Sequence, residues 1–518
     1  MNSEEIKNVE TELWDAADDL RANSKLTAAE YKDPVLGLIL LRFAENRFNE
    51  TLKKIEKNIP TNPRTGKKEI TKDHFLGESS LYLRDESKYE YLANLPESED
   101  ISEAVNKAMR LIESDHPDLS GILPKNYQSF DNDLLRGLIR IFNRESIQKI
   151  SGDFFGRIYE YFLMKFSMSG AGAQEGGEFF TPPSLVELIV NFIEPNKGII
   201  YDPACGSGGM FIQTAHFYRD KEKKLLNEKI SVFGTELKTN NTKLAKMNLA
   251  IHGLEGKIIE SNTFYSDPHK LIGKCDFVMA NPPFNVDKVD KKKDYIKNDP
   301  RLPFGLPNRD NANYLWIQYF YSYLNNKGRA GFVMAASATD AGKSEKEIRK
   351  KLIETGHVES IISISNNFFY TRGLPCHLWF FNKNKKNKDK ILMIDARNTF
   401  RKLTAKLNDF SKDQLEGLSY IIKNFRGEKV NFSKNNWLKD KFKNNFYEDI
   451  VGFCKIVDLK EIIENDYSLT PGKYVGFEII IDESFDYKKK LSELNNEIQD
   501  LSLKGTNLIK KIQKNRYE

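Results

Sequence analysis

The sequence predicts an α/β protein: a mostly parallel sheet flanked by helices, with a helical N-terminal domain before it and a C-terminal helical tail after it. Three observations predict this. From about residue 198, short apolar runs alternate with longer helical stretches, the pattern of strand–helix units in a parallel sheet. Before residue 165, apolar side chains recur at helix spacing, with no strand alternation of comparable length. At the far end, Leu491, Leu494, Ile498, Leu501, Leu508 and Ile512 hold a three-four spacing, broken only at Gly505. A chain of 518 residues has room for two or three domains with real interiors, here expected at 1–165, 166–395 and 396–518.

In the first domain, Leu13, Trp14, Ala17 and Leu20 form one helical stripe, and Val35, Leu38, Ile39, Leu41 and Phe43 form another. Asp33 before Pro34 is the expected start of the second helix, because proline suits a first helical turn. Residues 169–183, SGAGAQEGGEFFTPP, have no apolar period and mark a hinge into the sheet. The expected strands are 198–202, 230–236, 257–261, 275–280, 329–336, 358–364 and 376–381. The last two lie close enough in sequence for a hairpin, which would give the sheet an antiparallel edge. Beyond Asn382, NKNKKNKDK is expected to be a solvated turn after the last strand, or a DNA-facing loop. The terminal amphipathic helix needs a partner, either the chain's own helical domain or another subunit.

Charge and cysteine usage narrow the class. Seventy-nine Lys and Arg against 74 Asp and Glu leave +5, so any basic surface must be local. Cys205, Cys275, Cys376 and Cys454 show no ligand spacing, which argues for buried thiols in a reducing compartment and against bound zinc or another metal. The acidic opening, MNSEEIKNVETEL, lacks an apolar signal core, and no run approaches the ~18 apolar residues of a membrane span. A cytoplasmic protein without a membrane partner is expected.

Asp202, Gly206, Ser207, Gly208 and Gly209 lie in the turn that joins the first strand to a helix. Glycine lets a ligand approach the backbone, and free N–H groups at a helix start can face its polar atoms. Glu236 closes the second strand, where a carboxylate can accept hydrogen bonds from a ribose diol. Nothing matches the triphosphate loop, and adjacent Gly208 and Gly209 depart from dinucleotide spacing. Asn262, after the third strand, can bond a base, or simply form a turn beside Ser261 and Thr263. Thr181 can offer its hydroxyl and N–H to a carboxylate, or cap a helix starting at Pro182.

Asn281, Pro282, Pro283 and Phe284 follow the apolar strand CDFVMA, at the edge where the ligand is expected. Two prolines hold the chain extended and remove two amide donors, so the loop is rich in acceptors. An aromatic amine is a poor nucleophile because its lone pair is delocalised. If Asn281 Oδ1 and the Pro282 carbonyl each accept an amino hydrogen, the nitrogen turns its lone pair toward a methyl donor. Phe284 offers a stacking face. A base could reach this loop only after leaving its helix. Phe368 and Phe369 are either a second wall for that base or core packing. Cys376 begins an apolar strand with no Glu-Asn-Val after it, which discounts a thiolate attacking cytosine.

With those motifs in place, the sequence resembles the modification subunit of Type I restriction-modification systems, an N6-adenine DNA methyltransferase of the gamma group. The resemblance runs through LTAAEYKDPVLGLILLRFAENRF, GRIYEYFLMKF, GEFFTPPSLVELIV, YDPACGSGGM, MNLAIHG, ANPPFN, GRAGFVM and YSLTPGKYV, nearly the whole chain. It implies a Rossmann-like sheet and S-adenosylmethionine as cofactor. It places Glu178, Phe179, Phe180, Thr181, Pro182, Pro183, Ser207, Gly208 and Gly209 around the methionine part, Glu236 on the ribose, and residues 281–284 on the adenine. It also implies double-stranded DNA as substrate, a separate specificity subunit that chooses the sequence, and two copies of this chain in the complex. A restriction subunit can join them. The alternatives left open are protein glutamine methylation, N4-cytosine methylation and a catalytically silent DNA clamp.

Overall fold

The computed structural model describes the chain except residues 1–2, 62–65, 67, 79, 145–146, 148–151, 169–180, 222–228, 309–310, 370–374, 405–406, 443, 445, 478–485 and 515–518. The described residues fall into two compact units, 1–475 and 476–518.

The helical part of the first unit contains α1 (Ser3–Ala22), α2 (Ala28–Asn58), α3 (Ile101–Asp115), α4 (Asn132–Phe142) and α5 (Gly152–Met168), counting helices of ten residues or more. Helix α2 begins earlier than the Asp33-Pro34 pair suggests. Thr27 and Glu30 form a reciprocal capping box that starts it at Ala28, and Pro34 sits in its second turn. The stripe residues Leu13, Val35, Leu38, Ile39 and Leu41 are all at most 1% exposed.

The sheet has nine strands: β1 (Gly198–Asp202), β2 (Ile230–Glu236), β3 (Gly256–Glu260), β4 (Cys275–Ala280), β5 (Leu324–Ala335), β6 (Val358–Ile364), β7 (Cys376–Asn382), β8 (Lys390–Ala396) and, after the small hairpin of β9 (Arg401–Thr404) and β10 (Leu407–Asp409), β11 (Cys454–Asp458). Their order is β11-β8-β6-β7-β5-β4-β1-β2-β3. The longer helices around it are α6 (Pro183–Ile193), α7 (Gly209–Lys221), α8 (Thr239–His252), α9 (Asn313–Tyr323), α10 (Ser344–Glu354) and α11 (Lys412–Phe425). Val358–Ile364 and Cys376–Asn382 are buried throughout, as strands covered on both faces must be.

The two parts share an interior. Leu244, Met247 and Ile251 of α8 belong to the apolar cluster of the N-terminal helices. Helix α8 therefore turns one face to the sheet and another to the helical domain.

Three expectations are corrected. The β6–β7 hairpin exists, but antiparallel β7 is inserted between β5 and β6 and is not an edge. The antiparallel edge is β11, paired with β8. The lysine-rich turn does not follow the last strand, since β8 and β11 come after it and carry the sheet past residue 395. Nor is it wholly solvated. Lys385 is 5% exposed and donates to the Val358 carbonyl at 2.6 Å, while Lys383 donates to the Leu324 carbonyl at 2.9 Å and lies over the Tyr321 ring. Burial pulls both ammonium groups down to about 8.

In the second unit, α12 (Tyr487–Lys514) carries the predicted stripe, with Leu491, Leu494, Ile498, Leu501, Leu508 and Ile512 each 44–64% exposed. Among the described residues no helix is long and apolar enough to cross a membrane.

His377, on β7, faces Thr339 Oγ1 at 3.1 Å and is 6% exposed. Burial pulls its imidazole from 6.5 to about 4, with Arg397 adding to the fall and Asp395 opposing it. The unfolded chain takes up that proton near pH 6.5 and the folded chain does not, so acid favours unfolding. Stability is expected to fall between pH 6.5 and 4, with up to about 3 kcal/mol from this residue, and to be indifferent to it above pH 7. Thermal unfolding across this range should show a shallower pH dependence for His377→Asn; an identical dependence would refute the assignment.

Candidate active site

β1 lies between β4 and β2, so the glycine turn, the Asn281 loop and Glu236 leave the sheet from neighbouring strands about 5 Å apart, all at carboxyl ends. That placement assembles the site from residues distant in sequence.

The glycine turn is tied down from several sides. Asp202 is 1% exposed and accepts from the Ala204 N–H at 2.9 Å, shaping the turn from beneath. Burial pushes its carboxyl well above the usual carboxylate range; the Ala204 bond opposes this and the Glu236 charge adds to it. Glu236 accepts from the Gly206 N–H at 3.0 Å and the Lys238 N–H at 2.8 Å, stapling the turn to the end of β2. Each carboxylate oxygen retains acceptor capacity for a diol. Thr263 Oγ1 donates to the Pro203 carbonyl at 2.6 Å, and Asn248 Nδ2 to the Ser207 carbonyl at 3.0 Å.

Gly206 and Gly208 have φ of 53° and 81°, which glycine adopts without strain. A Cβ built on Gly206 or Gly209 would meet nothing within 4 Å. The turn thus borders open space that side chains there would fill. With Glu236 beside it, this donor and acceptor set fits a nucleoside-bearing cofactor.

Asn262 Oδ1 accepts from the Phe264 N–H at 3.0 Å, the turn-forming role that the sequence also allowed. Its Nδ2 is the atom left to face a base. Glu178, Phe179 and Phe180 lie outside the described residues, as does most of the expected hinge.

In the reacting loop, Asn281 Nδ2 donates to Thr181 Oγ1 at 2.9 Å, across 100 residues of sequence. Asn281 Oδ1 is buried and has no hydrogen-bond partner among the described residues. The amide is therefore oriented: its donor is engaged and its acceptor is available. Thr181 does not cap α6. Pro182 occupies the cap position and Pro183 the first turn, which leaves the Thr181 hydroxyl to Asn281. Phe284 meets Phe369 edge to face, with centroids 6.2 Å apart. Phe369 thus buttresses Phe284, whereas Phe368 is fully buried against Phe410, as a core residue. The four cysteines are free and buried, Cys376 included, and burial raises its thiol far above the range where a thiolate forms.

Two supporting residues escaped the sequence reading. Asn313, 3% exposed at the start of α9, accepts from the Asn285 N–H at 2.9 Å and donates to Asn285 Oδ1 at 2.8 Å. This reciprocal pair holds the residue just after Phe284 in a left-handed conformation, φ 51°. Asn248 supports the glycine turn from α8. Its sequence signals were an amide set among Leu244, Ala245, Met247 and Leu249 and its place in the MNLAIHG motif, neither of which assigned it to the turn.

Residues 150–483 match the family described as N-6 DNA Methylase, and residues 9–142 match the HsdM N-terminal domain. The chain is 36% identical to the Type I restriction enzyme MjaIX methylase subunit of Methanocaldococcus jannaschii, covering 95% of this chain and 88% of that protein. It is 33% identical to the HindI methylase subunit of Haemophilus influenzae, covering 80% and 92%. A Type I restriction-modification methyltransferase subunit from Streptococcus thermophilus shares the fold with TM-score 0.73 at 22% identity, over 90% of this chain and 99% of that one. With the Asn281 loop and the glycine turn on adjacent strands, and with these matches spanning both halves, the chain belongs to the N-6 DNA methylase family of Type I restriction enzyme methylase subunits.

Proposed function

We propose that this chain transfers the methyl group of S-adenosylmethionine to the N6 amino nitrogen of adenine in double-stranded DNA, as the modification subunit of a Type I restriction-modification complex. The observation that carries the mechanism is the Asn281 amide, with Nδ2 held by Thr181 and Oδ1 buried without a partner among the described residues. Relatives named as Type I methylase subunits support this reading over glutamine methylation or a silent clamp.

Bound against the glycine turn, the cofactor supplies an electrophilic methyl group. The chain's own groups do the rest. The backbone of residues 206–209, whose Gly206 and Gly208 N–H groups are bonded within the turn's own framework, and the Thr181 segment border the methionine part, and Glu236 accepts from the ribose. Asn281 Oδ1 and the Pro282 carbonyl each hold one amino hydrogen, which turns the nitrogen lone pair out of conjugation. Phe284 stacks on the extruded base, offsetting part of the few kcal/mol that extrusion costs. Neither acceptor removes a proton before attack; the methylated nitrogen sheds its surplus proton to water after transfer. DNA sequence is chosen by a separate specificity subunit that binds two copies of this chain, and α12 packs its exposed stripe against that subunit. The complex acts in the cytoplasm and can recruit a restriction subunit.

Asn281→Ala should lower methyl transfer by about 10²–10³-fold while leaving cofactor affinity within a few-fold, measured by tritiated methyl incorporation and calorimetry; full activity would refute the mechanism. Asn313→Ala should cut kcat by about 10²-fold with cofactor affinity retained, because it displaces the reacting loop without touching the glycine turn. Deleting residues 485–518 should abolish co-purification with the specificity subunit, and an intact complex would sink that assignment. The decisive experiment is co-expression with the neighbouring specificity subunit followed by base-resolved mapping of methylated positions. Modified adenines at a bipartite site are expected, and N4-methylcytosine or no modified base would overturn the reading.

A further inference from the structure

Immediately after the reacting loop, residues 287–297 carry Lys288, Lys291, Lys292, Lys293 and Lys297 against Asp287, Asp290 and Asp294. A charge run of this kind is ordinarily a solvated face, and a solvated face needs no fixed course. This one is pinned along its length. The Asp290 N–H donates to Tyr265 OH at 2.9 Å, and Lys293 Nζ lies 4.3 Å from the centre of the same ring. Lys291 Nζ donates to the Asn311 carbonyl at 3.2 Å, and Ile296 is fully buried. Just beyond, Arg301 is 0% exposed. It is bound through Nε and Nη2 to Asp299 and through Nη1 to the Ser266 carbonyl and Tyr323 OH, and its guanidinium lies 4.1 Å from the Tyr319 ring centre. Burying a guanidinium costs several kcal/mol unless its partners are this complete, so the course of the segment is strongly determined.

The upstream end of the segment is fixed as well, by the Asn285–Asn313 pair. Its anchor, Tyr265, donates its N–H to the Asn262 carbonyl at 2.9 Å, on the loop after β3 that flanks the cofactor turn. The segment therefore runs from the base-binding loop to the neighbouring loop along the carboxyl edge of the sheet. Lys288, Lys292, Lys293 and Lys297 are exposed along it. A nucleotide drawn out of a duplex stays joined to its two flanking phosphates, which must pass this same edge.

We infer that residues 287–297 form a preorganised phosphate-binding strap for the DNA strand that carries the target adenine. The inference rests on the DNA-methylating reading above and assigns to this strap the backbone contacts that hold the strand while the base is out. Such contacts position a strand without reading its sequence.

The test uses the complete complex with its specificity subunit and a duplex containing the mapped site. Binding is measured by anisotropy across a potassium chloride series, and methylation under multiple turnover. Lys288→Gln/Lys292→Gln/Lys297→Gln should make the slope of log K against log[salt] shallower by about 0.9 for each phosphate that is no longer neutralised. It should raise KM for DNA several-fold and leave the set of methylated positions unchanged. Lys327→Gln/Lys386→Gln/Lys388→Gln, which removes the same charge at the opposite edge of the sheet, should keep the parental slope. A parental slope in the first variant, or an equal change in the second, overturns the strap. A parent complex that methylates no adenine overturns the functional reading itself, so the two failures are distinguishable.

Discussion

The site depends on how one primary amide is shared. Asn281 has a donor and an acceptor, and the fold engages only the donor, through Thr181 Oγ1. An acceptor buried without a partner costs about 1–3 kcal/mol, and such a cost persists only where the surrounding structure enforces it. The two prolines contribute by removing N–H groups that would otherwise compete for nearby acceptors. In the proposed reading an exocyclic amine brings two hydrogens, and Asn281 Oδ1 and the Pro282 carbonyl are the two acceptors that meet them.

How far this was legible in the sequence depended on whether a feature is local. The strand runs from GIIYD to CHLWFF matched observed strands, most clearly β6 and β7, where burial on both faces leaves uninterrupted apolar stretches. The order of motifs along those strands was also visible, and the carboxyl-edge rule converted it into a single site. The Asn281–Thr181 bond was not visible, because nothing in the intervening 100 residues specifies which hydroxyl will meet which amide. The Asn285–Asn313 pair was hidden for the same reason, although only 28 residues separate its members. The insertion of β7 between β5 and β6 was beyond reach of pattern reading, since a hairpin has the same local sequence signature at an edge or in the interior. The Asp33-Pro34 start failed because a competing local signal, the Thr27–Glu30 capping box, lies nearly two turns earlier.

Buried polar residues elsewhere serve to position the loops at the sheet's carboxyl edge. Asn248 holds the glycine turn from α8, Arg301 fixes the segment beyond the reacting loop, and Thr339 joins His377 to Thr470 at the ends of β5 and β7. Polar groups in a protein interior are expensive unless fully bonded, and an apolar core would serve stability as well. At this edge they have a geometric benefit: each loop is referenced to a strand or helix.

Thr181 connects the two halves of the reaction. It lies on the segment that the proposed reading sets beside the cofactor's methionine part, and its hydroxyl accepts from the Asn281 amide that the same reading sets against the base. Cofactor side and base side therefore share one hydrogen bond.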